Sequence, residues 1–146
     1  MKKFSALAAL CLTAAMPAWA AAQVSPLIVQ QAWMRQTPGG DTAAVYLTLQ
    51  NAGVKPIIVI GVQTPYASSA MLHSSSLEKG QSRMRSRETL VIAPGQTVAF
   101  SPGGTHVMLS GFKRKVGVGQ EVPLIFLLAD GGQVKTAVVV RPVNSQ

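Results

Sequence analysis

The 146-residue sequence holds one cysteine, Cys11, and none after it. No intrachain disulfide can form, and no site built on several thiolates is available. Thiolate zinc sites and blue-copper electron-transfer centres, which need a cysteine ligand, are excluded beyond residue 11. Acidic residues are equally scarce. Asp41, Glu78, Glu88, Glu121 and Asp130 are scattered, so no paired-carboxylate site for acid–base work is visible. Aromatics make up 5% of the chain and are not interleaved with the basic residues, which argues against single-stranded nucleic acid as a partner. No Gly-rich phosphate loop is present. After residue 20, no stretch approaches the roughly 18 uninterrupted apolar residues of a membrane helix, so no membrane insertion is expected.

What is present begins with an export pattern. Lys2 and Lys3 precede an apolar stretch from Phe4 through Met16, broken only by Ser5 and Thr13. Ala18-Trp19-Ala20 then supplies small residues at the two positions a signal peptidase reads. The expectation is a signal peptide over residues 1–20, cleaved after Ala20 or, second, after Ala22. A single periplasmic domain over 21–146 would remain. Leu10 precedes Cys11 where a lipid-acceptor cysteine wants a small residue, so lipidation is not expected. Without Lys2 and Lys3 the 13 Lys and Arg become 11 against 5 Asp and Glu, a net +6. That balance suits either a solvated basic surface or an acidic partner.

The rest of the chain reads as short runs of Val, Ile, Thr and Leu separated by Gly, Pro and Asn. Ten strands are predicted: Leu27–Met34, Ala43–Gln50, Ile57–Gln63, Ala67–Ser74, Ser82–Arg87, Thr89–Ile92, Thr97–Ser101, His106–Ser110, Val122–Leu128 and Val134–Arg141. No window shows capped helical periodicity. The fold class expected is all-β, an antiparallel two-sheet sandwich. In the second strand Val45, Leu47 and Leu49 alternate with Tyr46, Thr48 and Gln50, which places the first set in the core. Trp33 and Met34 are both expected in the core.

Past the signal there are two histidines, His73 and His106, and four methionines, Met34, Met71, Met84 and Met108. His106 and Met108 are two apart on a predicted strand and leave the same face. A hairpin tip at Glu78-Lys79 makes His73 and Met84 direct cross-strand partners. Two His–Met pairs thus arise from local geometry, and a sandwich rim could bring them around one metal ion. Thioether sulfur is soft and neutral, which favours Cu(I) over zinc, calcium or magnesium. Two imidazoles and two thioethers add no charge to the monovalent ion. Taken singly, each of these residues is ordinary. Met34 reads as core filler, and Met71 as edge packing or an alternate ligand.

The order His73, ten residues, Met84, twenty-one residues, His106, one residue, Met108 resembles the signature of the PCu(A)C family of periplasmic copper chaperones. Ala32-Trp33, the run Ala44 to Asn51, and Pro102-Gly103-Gly104-Thr105-His106-Val107-Met108-Leu109 resemble that family as well. The likeness spans essentially the whole chain after the signal. It implies a cupredoxin-like Greek-key sandwich with His73, Met84, His106 and Met108 as Cu(I) ligands. It also implies delivery of copper towards cytochrome oxidase, to an oxidase subunit or a thiol-containing assembly factor. Some members carry a His- and Met-rich tail; this sequence ends Val143-Asn144-Ser145-Gln146, so Cu(II) loading through a tail is not expected.

Arg83, Arg85 and Arg87 alternate on the strand of Met84 and face away from it. They make either a solvated face or a docking surface for an acidic partner, as does Lys113-Arg114-Lys115. Ser74-Ser75-Ser76 has no acid–base set around it. A closed soft four-ligand site leaves no open position for a substrate, so an enzyme is not expected. The expected protein is a monomeric Cu(I) carrier with its ion near the surface at one end of the sandwich. The alternatives are copper buffering or a sandwich interaction module without metal.

Overall fold

The computed structural model describes residues 25–36 and 40–144. The expected signal, its cleavage position and Cys11 lie outside them. Ten strands follow in order: β1 (Leu27–Gln36), β2 (Thr42–Asn51), β3 (Ile57–Gln63), β4 (Ala67–Glu78), β5 (Gln81–Arg87), β6 (Leu90–Ile92), β7 (Thr97–Phe100), β8 (Thr105–Phe112), β9 (Glu121–Leu128) and β10 (Gln133–Arg141). Hydrogen bonding joins them as β5-β4-β8-β2-β1-β10-β9-β3-β6, with β7 beside β2. All neighbours are antiparallel except β1 and β10, which run parallel. No helix occurs among the described residues.

Period-two burial builds one core between the two halves of this path. From β2 it takes Val45, Leu47 and Leu49, and from β8 Val107 and Leu109. The other half supplies Val122, Leu124, Phe126 and Leu128 of β9, with Val59 and Ile92. Each such side chain contributes about 1.5–3 kcal/mol on leaving water. Asn51, fully buried at the end of β2, is satisfied throughout. Its amide donates to Lys55 O (2.7 Å) and Ile92 O (2.9 Å), and its Oδ1 accepts from Gly53 N (2.9 Å). It ties the end of β2 to β6.

One expectation about the core fails. Met34 is 0% exposed, but Trp33 lies on the opposite, outer face. The cause is a bulge in β1 between Gln30 and Trp33, where the pairing with β2 shifts by one residue and Gln31 adopts φ 53°. An extra residue turns every later side chain to the other face. Trp33 therefore packs at 4.7 Å between ring centroids on Tyr46, its cross-strand partner. The guanidinium of Arg141 covers its ring at 4.8 Å.

Candidate metal centre

The site starts at a turn. β4 and β5 form a hairpin whose last pair is Glu78 with Gln81, so Lys79 and Gly80 are its tip. Both have positive φ, 51° and 76°, as the tight two-residue turn that follows the strand twist requires, and glycine adopts such a φ without strain. The expected tip, one residue earlier, is thereby corrected. Met84 pairs with Ser75 and His73 with Ser86, so His73 and Met84 are diagonal rather than direct neighbours. The correction is an even one, two residues along the strand. Parity is preserved and both side chains still leave the same face. Diagonal neighbours lie about 7–8 Å apart at Cα, within reach of a methionine.

On its other side β4 pairs with β8, and this register assembles the cluster. His73 faces His106 directly and Met71 faces Met108. The imidazoles of His73 and His106 stand edge to face, 5.8 Å between centroids. Three adjacent strands, β5, β4 and β8, thus carry Met84, His73, His106 and Met108 on one face, opposite the core-facing Leu72 and Val107. The two His–Met pairs anticipated separately are brought together through a His–His contact that sequence reasoning did not anticipate. Tyr46 continues the row beyond His106 at 6.4 Å.

The histidines differ in environment. His106 is 4% exposed, and its Nδ1 lies 3.0 Å from Gly104 O. A carbonyl only accepts, so Nδ1–H donates and the Nε2 lone pair stays free for a metal. The same carbonyl accepts from Ser75 N at 3.1 Å, locking the Gly103-Gly104 turn to the projecting part of β4. His73 has a buried Nδ1 with no hydrogen-bond partner among the described residues. An orphaned buried nitrogen is costly unless something outside the chain satisfies it. Burial, and secondarily the neighbouring His106, hold His73 below the ordinary imidazole pKa. That keeps it neutral and able to donate a lone pair.

Access comes from β5, all seven of whose residues are exposed, Met84 at 53%. Among the described residues no group of three or more His, Cys, Asp or Glu gathers anywhere. The donor set here is imidazole plus thioether, which fits a soft monovalent ion and does not fit calcium or magnesium. Arg83 and Arg85 leave the far side of β5, as expected, and both contact Glu78, at 3.4 and 2.9 Å. Pairs this exposed contribute at most about 1 kcal/mol.

The family described as "Putative lipoprotein LpqE-like" matches residues 27–140. The "Putative lipoprotein Lxx21020" of Leifsonia xyli subsp. xyli is 32% identical over 120 residues, 82% of this chain and 72% of that protein. The Cu(I) form of DR1885 from Deinococcus radiodurans is 34% identical, with a TM-score of 0.60, covering 84% of this chain and 83% of that one. The copper-bound PCuAC domain from PmoF2 is 22% identical, with a TM-score of 0.68, covering 82% and 95%. The last match concerns the fold alone.

Proposed function

The chain belongs to the LpqE-like family, and from that membership we propose that it is an exported Cu(I) carrier holding one ion through His73, Met84, His106 and Met108. The observation that carries this reading is the directly opposed His73–His106 pair, edge to face and flanked by thioethers on one outer face, with a buried Nδ1 left without a partner among the described residues. The Cu(I) form of DR1885, a relative of the same fold, supports the choice of metal.

Here copper is cargo. The chain supplies soft, uncharged donors that keep the ion monovalent and out of bulk water, on a face that a second protein can reach. Release follows from the same chemistry. Cu(I)–thioether bonds are weak beside Cu(I)–thiolate bonds, so an incoming cysteine displaces Met84 on the exposed edge strand first. The recipient is accordingly a protein presenting thiolates, a respiratory oxidase copper centre or a thiol-containing assembly factor. Arg83, Arg85 and Arg87 would speed encounter with an acidic rim around those thiols. Periplasmic export with cleavage after Ala20 completes the reading, and Cys11 leaves with the signal.

The test is an anaerobic competition titration of the exported protein against a chromophoric Cu(I) chelator, beside His106→Ala and Met108→Ala. One equivalent is expected to bind, and each variant should weaken binding at least tenfold. Binding indifferent to both substitutions would overturn the assignment.

A further inference from the structure

Met71 stands out on the same face. It is 52% exposed, an apolar side chain left in solvent although neighbouring Leu72 is fully used by the core. It lies directly opposite Met108, as His73 lies opposite His106. The two strands therefore present mirrored triplets, Met71-Leu72-His73 and His106-Val107-Met108, whose antiparallel pairing sets His against His and Met against Met. Direct partners have Cβ atoms about 4.5–5.5 Å apart. Two residues along a strand advance about 6.6 Å. Met71 is thus as well placed towards the imidazole pair as Met108 is. Met84 stands on the other side of that pair, opposite Ser75, on a strand whose outer edge has no neighbour among the described residues.

We propose that Met71 is a third thioether of the centre, exchanging with Met84 as a ligand to the bound Cu(I). The inference rests on reading this cluster as a Cu(I) site. One Cu–S bond, to Met84, breaks as another, to Met71, forms. Both sulfurs are neutral, so the ion remains Cu(I) and no proton or electron moves. The exchange lets β5 engage a recipient while His73, His106, Met108 and Met71 retain the ion. Copper is then never held by fewer than four donors as the edge strand is occupied. The sequence alone leaves Met71 between packing and ligation. Its exposure and its register opposite Met108 favour ligation, because an edge-packing role would bury it.

The test labels the methionine ε-methyl groups of the exported protein with ¹³C and follows them by NMR during anaerobic Cu(I) addition. The resonances of Met71, Met84 and Met108 are expected to move, while core Met34 stays fixed. In parallel, chelator competition compares Met71→Leu, Met84→Leu and the double variant. Each single change is expected to weaken binding by about tenfold or less, and the double change by more than the product of the two. A stationary Met71 methyl with copper bound, or a double variant no weaker than Met84→Leu, overturns the role of Met71 and leaves the copper site standing. Absence of Cu(I) uptake by the unaltered protein overturns the site and this inference together.

Discussion

His73 carries the clearest residue-scale consequence of the cluster. Its pKa in the fold lies below the ordinary value near 6.5, first through burial and then through His106. The unfolded chain therefore binds more protons than the folded one between the two values. Stability contributed by neutral His73 is complete above about 6.5 and is lost as pH falls through the lowered value. The copper-free protein is expected to show a falling urea midpoint as pH is lowered from about 7 to about 5. His73→Asn should flatten that slope, and an equal slope in both proteins would refute it. This environment was only half legible. That His73 and Met84 share a face follows from spacing and a hairpin. That His73 abuts His106 depends on which strand lies beside β4, a long-range pairing that no local pattern encodes. Trp33 shows the complementary failure. Its alternation with Leu27 and Val29 reads as core, but the bulge at Gln30–Trp33 reverses the face, and the Gln-Gln-Ala sequence there carries no glycine to announce it.

The β4–β5 hairpin is the element that decides where Met84 sits. All ten strands were legible from apolar runs and Gly/Pro punctuation, since their turns use residues with a distinct chemistry. The β4–β5 hairpin was misplaced by one residue at its tip, and β4 runs on to Glu78 rather than stopping at Ser74, because Glu78, Lys79 and Gly80 all favour a turn. Only the demand for positive φ at both central positions selects Lys79-Gly80. That demand is testable. Lys79→Asn creates the Asn-Gly pair that adopts this turn most readily and should stabilise the arm by a few tenths of a kcal/mol to about 1 kcal/mol. Gly80→Ala forces a Cβ into φ 76° and should cost about 1 kcal/mol. Amide hydrogen exchange across 75–87 reads both, slower in the first variant and faster in the second. Copper affinity should follow in the same order through Met84. Equal exchange in the two variants would mean that the arm is held by something other than its turn.

At the scale of the whole molecule, the cluster and the core occupy opposite faces of the same strands. Leu72 and Val107 point inward while His73, His106 and Met108 point outward. The fold therefore provides a rigid register, and the apolar core is built without the site's side chains. This separation predicts that stability and copper binding fail independently. Phe126, fully buried on β9 in the other half of the core, is remote in the sheet order from β8, β4 and β5. Phe126→Ala should cost about 3–5 kcal/mol of stability through lost burial and the cavity it leaves. The folded fraction should still bind Cu(I) with close to its original affinity, since Phe126 lies on the core side and no ligand side chain is altered. His106→Ala should do the reverse, abolishing tight binding while the copper-free protein keeps its cooperative unfolding. Copper itself stabilises only the folded state, by about 2.7 kcal/mol when free ion stands a hundredfold above the dissociation constant. Thermal unfolding with and without Cu(I) should therefore show a metal-dependent rise in Tm in Phe126→Ala and none in His106→Ala. A rise in both would mean that the ion is bound elsewhere than on this outer face, and a rise in neither that the folded protein does not bind it.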